Sequence, residues 1–139
     1  MSEENKAIVR RYYQEIWSEG ELSLVDELFS PNYENHDPAT PGEVLRGREA
    51  FKQFVGGFRT AFPDLKITIT EQYAEGDTVV SGWTAGGTQR GPLMGMPASG
   101  RAGAVRGVTI THFAGGKIVR DDAVWDTLGL LKQLGAVPA

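Results

Sequence analysis

The sequence predicts an α+β fold: a curved, mostly antiparallel sheet forming a cone, wrapped by N-terminal helices and finished by a short C-terminal helix. Three observations carry this prediction. Apolar residues recur at helical spacing over residues 3–19 and 48–62, and the period switches to two after Pro63. Gly115-Gly116 then joins two runs rich in β-branched residues as a tight hairpin. Helices come first and long strands after, with no repeat or linker between them, so one domain over residues 1–139 is expected.

The first helix is read from Ile8, Val9, Tyr12, Tyr13, Ile16 and Trp17, with Gly20 placed where a helix stops. Ser23-Leu-Val-Asp26 resembles a capping box opening a short second helix that buries Leu24, Val25, Leu28 and Phe29 and ends at Ser30-Pro31. A short strand is expected over residues 32–37, then a Pro- and Gly-rich surface loop from Pro38 to Arg46. Phe51, Phe54, Val55, Phe58 and Phe62 give a third helix from Arg48 to about Ala61. Leu65, Ile67 and Ile69 alternate with polar residues, and Glu75-Gly-Asp77 turns the chain into a strand over Thr78 to Arg90. Gly91 to Ala98 interrupts the sheet. Strands follow at Arg101 to Phe113 and Lys117 to Trp125, and a helix at Thr127 to Leu134. A bent sheet around an amphipathic helix leaves one apolar cavity at its open end, a usual place for a small ligand.

With 139 residues the chain is long enough to bury roughly two-thirds of its unfolded surface. A net charge of −4 without a Lys/Arg run argues against a nucleic-acid partner. The absence of cysteine excludes disulfides, thiolate zinc sites and thiol nucleophiles. No apolar run is long enough for a membrane span, and the acidic start Met-Ser-Glu-Glu-Asn is unlike a signal peptide, so a cytoplasmic location is expected.

The stretch from Thr109 to Asp126 concentrates the chemistry: His112 is one of two histidines, and Asp121, Asp122 and Asp126 are carboxylates. An imidazole and a carboxyl tuned by burial can pass a proton near neutral pH. A simple two-residue turn places His112 opposite Val119, sharing a face with Ile110, Asp121 and Ala123, which makes Asp121 the competitor of Asp126 as the acid and base; a β-bulge would change that register. Each candidate also has a structural reading. Asp126 suits the N-cap of the last helix, His112 an ordinary strand position, and Asp121 and Asp122 solvated hairpin charges. His36-Asp37-Pro38 fits a turn in which Asp37 bonds its own backbone. Tyr12, Tyr13, Trp17, Phe54, Phe58 and Trp83 fit a core as well as a ligand cage, and Met94 and Met96 a flexible pocket rim or a contact loop.

Several blocks in order make the chain resemble the SnoaL-like polyketide cyclases, also labelled predicted ester cyclases, of the nuclear transport factor 2 and ketosteroid isomerase superfamily. They are Asn5 to Tyr13, Asn35-His-Asp-Pro38, Gly47 to Phe54, Phe62-Pro-Asp-Leu65, Gly82-Trp-Thr84, Gly95-Met-Pro97, Gly116-Lys-Ile-Val119 and Val124 to Leu131 with Gln133-Leu-Gly135. The resemblance implies intramolecular aldol ring closure of a small, largely apolar carbonyl compound, with no cofactor and no metal. It implies Asp126 as acid and base and His112 as its assistant, with Tyr13, His36, Asp37, Phe54, Trp83, Met94, Met96 and Asp121 about the substrate. It also implies a homo-oligomer, dimer or tetramer, formed through the exposed sheet face. A ketosteroid-isomerase-like proton transfer would use Asp37 and Tyr13 instead, and a binding or dimerisation domain would use the cavity without chemistry. The chain departs from the family pattern at Gln89, where a histidine is common, at His112, where arginine is common, and at Arg120-Asp-Asp-Ala123, which lacks the usual tryptophan and final aspartate.

Overall fold

The computed structural model describes residues 2–40 and 42–138; Pro41, inside the loop expected at 38–46, lies outside the described residues. The first amphipathic segment is helical as expected, but it changes winding midway. Helix α1 (Ser2–Arg11) continues directly into a π-helical stretch, Tyr12–Ser18, and ends at Gly20, whose φ of 77° suits a residue without a Cβ. The wider winding lets two consecutive tyrosines face the interior together: the Tyr12 and Tyr13 rings stack with centroids 4.5 Å apart. Helix α2 (Leu24–Leu28) follows, and the expected capping box does not form, since Ser23 makes no side-chain cap.

Strand β1 (Phe29–His36) starts three residues earlier than its alternation suggests and runs through Ser30-Pro31. Proline is tolerated there because the ladder with β6 is irregular between Phe29 and Glu34. The expected loop contains a further short strand, β2 (Val44–Arg46), which pairs antiparallel with β1 along Glu34 to His36. Helix α3 (Arg48–Ala61) matches its periodicity and buries Phe51 and Val55. Strands β3 (Lys66–Glu75), β4 (Thr78–Thr88), β5 (Ala102–Ala114) and β6 (Lys117–Trp125) precede helix α4 (Thr127–Gln133). The sheet order is β2-β1-β6-β5-β4-β3, antiparallel except for the β1–β6 pair.

Bulges at Ile69/Glu71 and His112/Phe113 interrupt the ladders and bend the sheet. Its inner face meets an aromatic core in which Phe29 packs edge-on to Tyr12 and Tyr33, and Phe51 lies 5.0 Å from Tyr33 and 5.2 Å from Phe29. The outer face is partly apolar: Val108 is 48%, Val124 64% and Tyr73 62% exposed. Among the described residues no helix is long and apolar enough to cross a membrane.

One close approach shapes the interior. Gly107 on β5 faces Trp83 on β4, and a Cβ at Gly107 would run into the indole ring. Gly107→Ala is therefore expected to cost about 1–3 kcal/mol, because a buried indole of this size has little room to retreat. Thermal unfolding followed by tryptophan emission checks this; an unchanged melting temperature would show that the ring moves freely.

Candidate active site

The helices and the concave face of the sheet leave a pocket with a free volume of about 90 Å³, open to solvent at its mouth. The strands make room for it with small residues, Ala85, Gly86, Gly87, Gly103 and Ala123, while Trp17, Phe54, Phe58, Trp83 and Trp125 supply aromatic walls. Polar groups on this wall are few. Those that matter chemically are Asp37, Asn35, Thr109 and Tyr13.

Asp37 follows directly after β1 and is 4% exposed. Its Oδ1 accepts from the Ala39 backbone N–H at 2.8 Å, which is the turn expected before proline, and its Oδ2 accepts from the Trp125 indole N–H at 3.0 Å. Both bonds leave lone pairs free, so the carboxylate is aimed without being saturated. Thr109 on β5 is 1% exposed; its Oγ1 accepts from the Tyr13 hydroxyl at 2.6 Å and the Trp83 indole N–H at 2.9 Å. With both lone pairs engaged, the Thr109 hydroxyl has its own proton left to donate.

Behind this wall lies a second polar group of a different kind. Asp121 on β6 is fully buried. Its Oδ2 accepts from the Tyr12 hydroxyl at 2.9 Å and the Tyr33 hydroxyl at 2.6 Å, and its Oδ1 from the Thr111 hydroxyl at 2.6 Å. Burial raises the Asp121 pKa, and the three hydroxyls oppose that rise. Burial first, and the nearby Asp121 carboxylate second, push the Tyr12, Tyr13 and Tyr33 hydroxyls upward, so all three stay protonated donors at neutral pH. Tyr33 in turn accepts from Asn35 Nδ2 at 2.9 Å.

The structure gathers some of the residues singled out in the sequence and disperses others. Tyr13, Asp37, Phe54 and Trp83 line the pocket together. Asp126 does not: it is exposed and caps α4, accepting from the Gly129 backbone N–H at 2.9 Å. His112 is also elsewhere. The bulge leaves Val119 out of register, so His112 pairs with Arg120 rather than Val119. His112 therefore lies on the outer face, 39% exposed, with its Nε2 3.3 Å from Asp122 Oδ2. The same slip turns Asp121 inward beside Thr111 and overturns its reading as a solvated charge. His36 points outward too and contacts Glu34 Oε1 at 2.9 Å. Met94 borders an adjoining groove with Thr40, Leu45 and Gln53 that shares Asp37, Phe54, Phe58 and Trp125 with the pocket, and Met96 bridges to Leu93 in the same loop without lining either space. Asn35, Thr109, Thr111, Tyr33 and Trp125 carry the site without having been singled out; inward parity along β5 and β6 would have found three of them once the bulge was known. Ala123 lines the pocket at the position where the resemblance leads one to look for an aspartate. Among the described residues no group of three or more His, Asp or Glu side chains is placed to hold a metal ion.

Residues 7–134 match the family profile of the SnoaL-like polyketide cyclases. The chain is 33% identical over 130 residues to the aklanonic acid methyl ester cyclase DnrD of Streptomyces peucetius, covering 92% of this chain and 88% of that protein. It is equally similar to the aklanonic acid methyl ester cyclase DauD of Streptomyces sp. strain C5, covering 92% and 80%. Among solved structures, one described as a SnoaL-like polyketide cyclase from Jannaschia sp. CCS1 superposes with a TM-score of 0.89 at 26% identity, covering 99% of this chain and 95% of that one. TsrD from Streptomyces laurentii superposes with a TM-score of 0.86 at 29% identity, covering 97% of each.

The raised pKa of Asp121 has a consequence for stability with a definite sign. Well below the ordinary carboxyl value both folded and unfolded chains hold the proton; above it the unfolded chain releases the proton first, so the native state loses ground as pH climbs through the raised value. Asp121→Asn cannot titrate. The variant is expected to compare worst with the parent at about pH 4 and to recover relative to it toward about pH 8, in urea unfolding at stepped pH. A gap that widens with pH would mean that the folded carboxyl is held below its ordinary value.

Proposed function

Since the chain belongs to the SnoaL-like polyketide cyclase family, we propose that it closes a ring by aldol chemistry on a largely apolar carbonyl compound, without a cofactor, using Asp37 as acid and base. The two curated relatives are named for a methyl ester, so a methyl-ester-bearing polyketide is the substrate class. The observation that carries the reading is the position of Asp37: among the described residues lining the apolar pocket it is the ionisable acid, and it is held by two donors from fixed backbone and ring groups.

The steps follow from those groups. Asp37 takes a proton from the carbon α to a carbonyl, and the resulting enolate carbon bonds to a second carbonyl carbon of the same molecule. The alkoxide so formed takes the proton back from Asp37, and no atom is gained or lost. The Thr109 hydroxyl donates to the enolate oxygen as charge develops there, inside walls that exclude most water. Binding one folded conformer of the substrate supplies the rest, since an intramolecular reaction gains mainly from orientation. Tyr13 lines the same pocket, so an isomerase-type proton shift is the second reading; Tyr13 would act through Thr109, to which its hydroxyl is bonded.

With aklanonic acid methyl ester as the trial substrate and ring closure followed by NMR, Asp37→Asn is expected to lower kcat by about 10²-fold or more, since the amide keeps the shape but cannot take a proton. Thr109→Val is expected to lower kcat by about 10²–10³-fold with little change in KM. Asp126→Asn, which preserves an N-cap, serves as the control and retains activity. Full activity in Asp37→Asn sinks the assignment, and a compound that binds tightly but is returned unchanged by the parent chain favours a binding module.

The reading extends to a homodimer formed through the outer sheet face, where Val108 and Val124 stand exposed side by side on paired strands. Sedimentation is expected to give about twice the chain mass of 15.1 kDa. Val124→Lys is expected to shift the population to monomer, because it sets a charge in an apolar interface.

A further inference from the structure

Two free spaces meet at Asp37. The pocket inside the cone has a free volume of about 90 Å³, the adjoining groove offers about 520 Å³, and Asp37, Phe54, Phe58 and Trp125 line both. The pocket is smaller than a cavity of roughly 150 Å³ that holds one benzene molecule, and sites for drug-sized ligands run to about 300–1,000 Å³. A compound the size of a polyketide can therefore place only a short arm in the pocket. The groove is large enough for the rest.

The groove has an open floor and a fixed wall. Its floor is one face of α3, where Ala50, Gln53, Phe54, Gly57 and Phe58 follow helical spacing. Glycine weakens a helix interior, and no packing demands it at 57: a Cβ there would meet no other described residue within 4 Å. Its absence leaves free space over the helix. Gly56 also meets nothing, but it does not line the groove.

The wall comes from Pro92, Leu93 and Met94. Gln89, 1% exposed, clasps this loop at both ends: its Nε2 donates to the Gly91 carbonyl at 3.1 Å and the Pro97 carbonyl at 3.2 Å, and its Oε1 accepts from the Ser99 N–H at 3.1 Å. Within the loop Met94 takes a φ of 50°, uncommon for a residue with a side chain, and is 47% exposed. A thioether makes favourable contact with the edge of an aromatic ring, and the Phe54, Phe58 and Trp125 rings favour an aromatic guest for the same kind of reason. Asp37, at the junction, carries the only charge among the described residues lining the groove.

We infer that the ligand is bipartite: a short dicarbonyl arm enters the pocket past Asp37, while a flat, uncharged, fused aromatic part stays in the groove, over Gly57 and against Met94. The inference deepens the proposed function and rests on it for the carbonyl character of the arm. The seat of the rings follows from the groove itself.

The test is an NMR titration of the intact chain with acetylacetone, the arm alone, and 2-naphthoylacetone, the same arm carrying two fused rings. Neither probe has a chain long enough to close on itself, so binding is read without turnover. In the parent, 2-naphthoylacetone is expected to shift the Gly57 amide and the Met94 methyl together with the Ala85 methyl inside the pocket, and acetylacetone the Ala85 methyl alone. The ring-bearing probe is expected to bind at least about tenfold more tightly, since its apolar surface leaves water. Gly57→Leu fills the floor and should remove most of that advantage while leaving acetylacetone unaffected; Gly56→Leu, the matched control on the same helix, should preserve it. Met94→Gly suits the positive φ and deletes only the side chain, so it should weaken 2-naphthoylacetone selectively. Shifts from the naphthyl probe confined to the pocket, no saturable binding of that probe, an advantage that survives Gly57→Leu, or equal weakening of both probes by Gly57→Leu would each overturn the inference. An Asp37→Asn variant that kept full ring-closing activity would sink the acid-base assignment and leave this one standing.

Discussion

A carboxylate without access to water sits where four elements meet, and three hydroxyls make it tolerable. Removing a carboxyl group from water costs several kcal/mol unless hydrogen bonds replace the lost solvation. Asp121 of β6 finds those bonds on the π-helical stretch through Tyr12, on β1 through Tyr33 and on β5 through Thr111. The Tyr12 bond ties the helix to the sheet, so the helix cannot slide along it without breaking that bond. That requirement sets the gap between helix and sheet, and the gap is what becomes the pocket. The change of winding at Tyr12 belongs to the same constraint: it brings Tyr12 to Asp121 and Tyr13 to Thr109 from adjacent positions in the chain.

The polar interior is thereby divided into two layers with opposite tasks. The deep layer, Asp121 with Tyr12, Tyr33 and Thr111, has its donors and acceptors matched and is rigid. The pocket layer, Asp37 and Thr109, keeps hydrogen-bonding capacity open on each residue. Rigid support behind a sparse set of unsaturated groups is what a binding site in an apolar cavity requires, because each group can be aimed only if something behind it cannot move. Tyr33 links Asn35 of the pocket wall to the deep layer, accepting from Asn35 and donating to Asp121.

The periodic elements could be read from the chain because their signals are local. The third helix, the β3–β4 turn at Gly76 and the β5–β6 hairpin at Gly115-Gly116 lie where spacing and glycine placed them. The site depended on something spacing cannot carry. One extra residue at Val119 reverses the facing of everything after it on β6, so that Asp121, expected on the same face as His112, turns to the core while His112 turns to solvent beside Asp122. A bulge has no reliable residue signature, and a register error of one is complete: every side chain changes side. The start of β1 at Phe29 and the strand β2 escaped notice for a related reason, since both are made by pairing with distant chain rather than by their own alternation.

The same register explains why the acid of the site stands at the end of β1. Facing alternates inward along β6 at Asp121, Ala123 and Trp125, and of these Asp121 is sealed behind Tyr12 while Ala123, where the family resemblance leads one to look for an aspartate, has no functional group. The strand nevertheless reaches the pocket chemically through Trp125, whose indole N–H meets Asp37 across the parallel β1–β6 junction. Under the proposed chemistry the proton carrier stands at the end of β1 and its orienting group on β6. A carboxylate placed on β6 would have stood beside Asp121, and two acids so close in a dry interior raise each other's pKa and compete for the same donors. With alanine at 123 and the acid on β1, the deep layer can hold its carboxyl for structure and the pocket layer can hold another for reaction, each with its own donors.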